Sequence, residues 1–105
     1  MHKVRLTPEA AADLVGIKTY ISATLGNPIA AAGTVRRIIK SLRNLESHPE
    51  AGPSLEAKTG FKTDLRFLVC GSYIALYRVE GGDVSVARIL NGRQDYMRVL
   101  FKDHL

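Results

Sequence analysis

Residues 64–90 read DLRFLVCGSYIALYRVEGGDVSVARIL, and this segment sets the architecture that the rest of the chain must complete. It is rich in Val, Ile, Leu, Phe and Tyr, the residue types that favour strands. Turn signals interrupt it at Cys70-Gly-Ser72 and at Glu80-Gly-Gly-Asp83. The segment therefore predicts a three-stranded antiparallel meander, with strands over Leu65–Gly71, Ser72–Val79 and Asp83–Leu90.

The residues before this meander predict one strand and two helices. Val4 and Leu6 alternate with basic residues, which is the period of a half-buried strand. Thr7-Pro8 and Asn27-Pro28 each place a polar cap before a proline at the first helical position, and Gly26 is a typical C-terminal cap. Apolar residues then recur three or four apart: Ala10, Leu14, Ile17, Ile21 and Leu25 in the first helix, and Ala31, Val35, Ile38, Leu42 and Leu45 in the second.

The short linker between these helices makes them antiparallel neighbours, with one shared apolar face that a sheet must cover. His48-Pro49 ends the second helix, and the segment from Pro49 to Thr63 predicts a long loop, either a working surface or a mobile segment. After Asn91-Gly92 we predict a short terminal helix from the spacing of Met97, Leu100 and Phe101.

These elements predict a single α+β domain over residues 1–105. In it, the N-terminal strand and helical hairpin pack on an antiparallel sheet that contains the C-terminal meander.

Charge and composition narrow the partners and the compartment. The chain has 15 Lys and Arg against 10 Asp and Glu, so its net charge is +5 and acidic partners are favoured, such as nucleic acid, the ribosome or an acidic protein segment. No apolar run approaches the length of a membrane span and no export signal is evident, so we expect a cytoplasmic protein without a membrane partner. Cys70 lies in an apolar run, which predicts a buried, reduced thiol.

Metal and cofactor sites are not expected, because no histidine pair has metal-ligand spacing and the single cysteine adds no ligand cluster. His48 precedes a proline at a helix end, where a capping or solvated role is the ordinary one.

Five stretches, taken in order, resemble the bacterial RelE/ParE family of toxins from toxin–antitoxin pairs over roughly residues 3 to 101. They are Leu14–Ile21, Ser47–Gly52, Asp64–Val69, Ser72–Val79 and Val86–Tyr96. The last of them, Val86-Ala-Arg-Ile-Leu-Asn-Gly-Arg-Gln-Asp-Tyr96, is similar to the pattern that follows the last strand on the ParE side of the family.

The resemblance implies a toxin that a cognate antitoxin neutralises, through an antitoxin helix or strand lying across the grooves and sheet of the toxin. A higher-order toxin–antitoxin complex is possible, because stoichiometry varies within the family. RelE-like members cleave mRNA on the ribosome, whereas ParE-like members inhibit DNA gyrase without established chemistry of their own.

The residues at the catalytic positions favour the ParE-like mechanism. RNA cleavage requires basic groups that converge with an acid–base group. The RelE-like pattern has two arginines and a tyrosine at positions that match Ile74, Gln94 and Leu100 here. The resemblance therefore implies a gyrase inhibitor.

Two alternatives stay open. One is a ribosome-dependent mRNA endoribonuclease that uses a shifted set of residues, Lys62, Arg66, Arg88, Arg93 and Tyr96. The other is a decayed family member that only forms complexes or binds an operator.

Structural roles compete with the catalytic ones at several of these positions. Strand alternation predicts Arg66, Arg78 and Arg88 on one solvated sheet face. There they would pair with a nearby carboxylate: Asp64, Glu80 or Asp95. Arg93 and Asp95 would fix the tail, and the basic residues of the second helix would face water. The tyrosines predicted to pack in or beside the core are Tyr20, Tyr73 and Tyr77.

Overall fold

The computed structural model describes residues 2–92, so the predicted terminal helix after Asn91-Gly92 lies outside the described residues. The helices are α1 (Pro8–Thr19), continued by a π-helical turn (Tyr20–Thr24), α2 (Pro28–Arg43), continued by a 3₁₀ turn (Asn44–Glu46), and α3 (Leu55–Thr59). The strands are β1 (Val4–Leu6), β2 (Arg66–Cys70), β3 (Tyr73–Glu80) and β4 (Asp83–Asn91).

The four strands form one sheet in the order β1-β4-β3-β2. β2, β3 and β4 are the predicted meander, and the two-residue turns at Gly71-Ser72 and Gly81-Gly82 join them. The predicted fold class is confirmed, with one refinement. β1 pairs parallel with β4, so the sheet is mixed rather than wholly antiparallel. The alternation of Val4 and Leu6 with basic residues predicts that β1 is a strand, but it does not predict which strand β1 pairs with.

Both long helices begin where their caps predict. The Thr7 side chain accepts a hydrogen bond from the Ala10 backbone N–H at 3.1 Å, and the Asn27 side chain accepts one from Ala30 at 3.0 Å. Each cap satisfies a backbone donor that the first helical turn leaves without a partner. The helical hairpin therefore has fixed starting points on both sides of its short linker.

The π-helical turn explains why the predicted apolar stripe of the first helix fails at its end. The Leu25 backbone N–H donates to the Tyr20 carbonyl five residues earlier, at 3.1 Å. This wider turn rotates later side chains away from the line set by Ala10 and Leu14. Those two residues are buried, as predicted, whereas Leu25 is 59% exposed.

The hairpin packs on one face of the sheet and forms the larger part of the core. Ile38, Leu42 and Leu45 of the second predicted stripe are all buried there. The sheet residues in the same cluster are Cys70, Ala75, Tyr77, Val84, Val86 and Ile89.

The opposite face of the sheet is covered by the segment that was predicted to be a loop, and that prediction is incomplete. Residues 55–59 form α3, which the Ser54 hydroxyl caps by accepting a hydrogen bond from Ala57 at 3.3 Å. Leu55 is fully buried against Phe67 and Leu76. The segment is therefore anchored by its own apolar side chain.

Candidate functional site

A bidentate ion pair joins α1 to the end of β4. Arg88 donates two hydrogen bonds to the Asp13 carboxylate, from Nε at 2.8 Å and from Nη2 at 3.1 Å. The backbone N–H of Ile89 donates a third, also at 2.8 Å. β1 pairs with β4 only as far as Val86, so Asp13 satisfies a donor on a stretch of strand edge that no other strand within residues 2–92 covers.

A β-bulge determines where Arg88 lies. The turn at Gly81-Gly82 sets the β3–β4 register, and continuing that register would place Arg88 opposite Ala75 in the helix-facing core. A register shift between Leu76 and Tyr77 places it opposite Leu76 instead. Ile89 then takes the core position opposite Ala75.

A groove of about 460 Å³ lies beside this ion pair, between α1 and the end of β4. Tyr20 and Tyr73 line it together with Asp13 and Arg88. Tyr73 packs against the core and Tyr77 is fully buried, as predicted, but the prediction is wrong for Tyr20, which is 52% exposed. Tyr20 is the first residue of the π-helical turn.

Arg78 forms the ion pair that strand patterning predicts. Its Nε lies 3.2 Å from the Asp64 carboxylate and 4.0 Å from that of Glu80. Hydrogen bonds from the Arg78 guanidinium hold the pKa of Asp64 below its ordinary value, against a smaller opposing effect of burial. The ion pair lies on the surface of the sheet. Arg78 therefore has a structural role as the partner of Asp64.

The prediction that Arg66, Arg78 and Arg88 share one solvated sheet face is wrong. The two-residue turn at Gly71-Ser72 places Arg66 opposite Tyr77. Arg78 follows Tyr77 in the same strand and therefore points to the other face. This parity could have been worked out from the predicted turn.

The backbone positions of the candidate ribonuclease residues that the structure describes do not lie on one face of the sheet. Arg66 and Arg88 lie on strands separated by β3, opposite neighbouring β3 residues whose side chains point to different faces. The Arg66 Nη2 donates to the Glu50 carbonyl at 3.2 Å, and its Nε is buried with no hydrogen-bond partner among the described residues. Lys62 is exposed between α3 and β2. Arg93 and Tyr96 lie outside the described residues.

The position that matches a RelE-like arginine is part of the core. Ile74 is buried beside Leu76 and Leu90 on the α3 side of the sheet. An apolar side chain at a buried position offers neither a charge nor a proton. Gln94 and Leu100, at the other two matching positions, lie outside the described residues.

Gly52 is a structural position that sequence reasoning missed. Its backbone N–H donates to the Tyr77 hydroxyl at 2.8 Å, which satisfies that group inside the core. A β-carbon at Gly52 would collide with the Phe67 carbonyl oxygen and lie 2.7 Å from the Tyr77 hydroxyl. The sequence signal was the run Pro49-Glu-Ala-Gly-Pro53, which reads as an ordinary turn. Asp13 was missed too, because its partner is 75 residues away in sequence.

Cys70 is a free, buried thiol, as predicted. Burial raises its pKa, while a hydrogen bond with Ser41 acts in the opposite direction. Over residues 2–92 there is no cluster of His, Cys, Asp or Glu side chains that could hold a metal ion. Over the same range no helix is long and apolar enough to cross a membrane.

Large apolar side chains are exposed on the helical hairpin and on two strands. On the hairpin, Val15 is 66% exposed, Leu25 is 59% exposed and Ile29 is 85% exposed. On the two strands that end the sheet, Val69 of β2 is 61% exposed and Leu6 of β1 is 39% exposed. Side chains of this size at such exposure are candidates for a protein interface when they cluster.

Comparison with known proteins agrees with this architecture. A family model described as "ParE toxin of type II toxin-antitoxin system, parDE" matches residues 4–96. No match was found among curated proteins.

Two solved structures share the fold. One, titled as a chromosomal ParDE toxin–antitoxin system from P. aeruginosa, is 25% identical, covers 87% of this chain and 96% of its own, and has a TM-score of 0.72. The other, titled as the toxin–antitoxin complex RelBE2 from Mycobacterium tuberculosis, is 19% identical, covers 86% of this chain and 96% of its own, and has a TM-score of 0.61.

Proposed function

The chain belongs to the ParE toxin family of type II toxin–antitoxin systems, and we propose that it arrests growth by binding and inhibiting DNA gyrase until a cognate antitoxin captures it. In this proposal the toxin acts by occupying its target, without catalysing a reaction of its own.

The observation that carries the gyrase proposal is the commitment of Arg88 to Asp13. A guanidinium that acts on a scissile phosphate must be open to it, and here two of its nitrogens bond a carboxylate that is only 16% exposed. An adjacent carboxylate would also repel the phosphate. Arg66 and Arg88, the described arginines of the candidate set, lie opposite neighbouring β3 residues whose side chains point to different faces of the sheet.

The proposal of an antitoxin partner has separate support. Both similar structures are titled as toxin–antitoxin assemblies. The exposed apolar residues of the hairpin give an antitoxin helix a surface to cover, with Ile29 the most exposed of them. In the antiparallel β2–β3 pair, alternate residues of β2 direct their backbone N–H and C=O groups away from β3, and Val69 is one of them. Phe67 is another, and its N–H already donates to the Pro53 carbonyl. An antitoxin strand would pair at Val69.

The first test is induced expression in a bacterium that lacks the antitoxin. Gyrase inhibition predicts growth arrest with filamentation, and co-expression of the antitoxin restores growth. Rapid arrest of translation with message cleavage would favour the ribonuclease alternative instead. Normal growth would indicate a decayed family member.

Arg66→Ala sharpens this test. In the gyrase proposal it leaves growth arrest unchanged, because within residues 2–92 the Arg66 side chain bonds only the Glu50 backbone carbonyl. In the ribonuclease alternative it removes a basic group from the candidate set, so cleavage should fall by a factor on the order of 10² or more. Val69→Thr, an exchange on the outer edge of the same strand that keeps its propensity, is the matched control.

A further inference from the structure

The C-terminal half of α2 concentrates positive charge. The helix contains four basic residues and no Asp or Glu. Three of the four, Arg36, Lys40 and Arg43, line a surface depression of about 550 Å³, and Lys18 of α1 lines it too. We call these four side chains the basic face.

The cations of the basic face have no polar partners in the part of the chain that the structure describes. All four residues are exposed. None of their side chains forms an ion pair or a hydrogen bond within residues 2–92. Arg78 and Arg88 of the sheet differ, since each pairs with a carboxylate. The charge of the basic face is therefore available to a ligand.

Helix stability explains only part of this charge. Cations in the last turn interact with the partial negative charge of the helix C-terminus, which accounts for Lys40 and Arg43. It does not account for Arg36, which lies about two turns before the end of α2. Stability alone would also favour carboxylates three or four residues from these cations, and α2 has none.

Three members of the basic face form a line. Arg36, Lys40 and Arg43 are spaced four and three residues apart, so they lie along one side of α2 over about 10 Å. One strand of a DNA duplex carries a phosphate about every 3.4 Å along the axis, so this line spans about three phosphates. The spacing therefore suits a row of negative charges on a nucleic-acid backbone.

The apolar residues beside the line are too few to form the centre of a protein interface. Ile39, which is 39% exposed, is the one large apolar side chain exposed among the residues that line the depression. It lies three residues after Arg36 and four before Arg43, where it offers their aliphatic stems an apolar surface. The centres of protein interfaces are depleted in charged residues, whereas cations predominate here.

We propose that the basic face binds the phosphate backbone of duplex DNA without reading the base sequence. Each cation pairs with a phosphate and releases a condensed counterion, so binding weakens steeply as the salt concentration rises. The proposal goes beyond the proposed function, since it holds whether or not gyrase is the target. It also uses the end of α2 opposite to Ile29, the most exposed of the apolar residues proposed for the antitoxin.

The probe is a fluorescently labelled DNA duplex of about 20 base pairs, titrated with the protein at several salt concentrations and followed by anisotropy. The test variant combines Arg36→Gln, Lys40→Gln and Arg43→Gln, which removes the line of cations but keeps side chains that favour a helix. Circular dichroism verifies that its helical content is that of the wild type.

The matched control combines Lys3→Gln, Arg5→Gln and Lys62→Gln. It removes the same charge from three exposed residues that do not line the depression. The plot of log affinity against log salt should be less steep for the test variant than for the wild type by about 2 to 3, and less steep for the control by about 1 or less. In about 50 mM salt the test variant should bind at least tenfold more weakly than the control.

The proposal is overturned if the wild-type protein does not bind the duplex in about 50 mM salt, or if test variant and control lose affinity and salt dependence equally. It is also overturned if labelled polyglutamate binds the wild type more tightly than the duplex at equal salt, because the basic face would then suit an acidic protein segment better than DNA.

Discussion

At the scale of single residues, Asp13 connects two elements that are far apart in sequence. Its carboxylate accepts two hydrogen bonds from Arg88 and one from the Ile89 backbone, and so fastens α1 to the end of β4. The side chains are 16% exposed for Asp13 and 30% for Arg88, so water competes only partly for these bonds. The contact stabilises the fold. Because it engages Arg88, it also argues against a ribonuclease mechanism that uses this arginine.

Replacing Asp13 with alanine should destabilise the protein by about 2–3 kcal/mol, because it leaves a guanidinium and a strand-edge N–H without their acceptor. Urea unfolding measures the loss. Glu9→Ala, an exposed carboxylate on the same helix, is the control and should cost about 0.5 kcal/mol or less. Equal losses in both variants would show that the Asp13 contact contributes little.

Gly52 offers a second test on single residues. Gly52→Ala should cost about 2–3 kcal/mol, because the added methyl group meets backbone and a buried hydroxyl that have no room to move. Gly16→Ala is the matched control, since nothing lies within 4 Å of the added atom and alanine favours a helix, and it should stabilise by about 0.5 kcal/mol. Thermal unfolding of the two variants in opposite directions is the expected result.

The Asp64–Arg78 pair predicts a pH dependence. The pKa of Asp64 is lowered from 3.8 by its bonds to Arg78, so the pair stabilises the fold above that value and the contribution is lost as pH falls through the lower, folded pKa. NMR titration of the Asp64 carboxyl should show the low pKa in the wild type and a return toward 3.8 in Arg78→Gln. An unchanged titration would mean that Arg78 does not hold this carboxylate in solution.

At the scale of elements, prediction from sequence succeeded where the signal is local. Thr7 and Asn27 mark the helix starts through bonds to residues three positions on, and the glycine turns mark the meander. Prediction failed where the structure of a segment depends on contacts with residues that are distant in sequence. α3 is too short for periodicity to reveal, and Leu55 looks exposed until the sheet covers it. The π-helical turn has no sequence signal that we can identify.

The exposed outer edge of β2 gives a prediction about antitoxin binding. Val69→Lys should weaken capture, because a charge on the edge opposes addition of an apolar strand. The cognate antitoxin should then bind at least about tenfold more weakly and rescue growth poorly, while growth arrest without antitoxin is unchanged. Calorimetry with Val69→Thr as the control measures the first effect. Full-strength binding of Val69→Lys would exclude an antitoxin strand at this edge.

At the scale of the whole molecule, the sheet separates two surfaces with different contents. The hairpin side carries the exposed apolar residues Val15, Leu25 and Ile29, whereas the α3 side buries Ile74 where the RelE-like pattern has an arginine. The candidate ribonuclease set was chosen by residue type and proximity in sequence. In the structure, strand alternation and the β-bulge place Arg66 and Arg88 on different faces, and Asp13 binds Arg88. The alternation could have been predicted from the sequence, but the bulge and the Asp13 contact could not.

The central claim is that the toxin inhibits gyrase without catalysis, and parallel assays on one preparation of purified protein test it most directly. Gyrase supercoiling and cleavage of ribosome-bound message in a translating extract are measured over the same protein concentrations. The account predicts that supercoiling falls as toxin approaches and exceeds the concentration of gyrase, while the message stays intact. Uninhibited supercoiling at micromolar excess, with message cut at substoichiometric toxin, would contradict it.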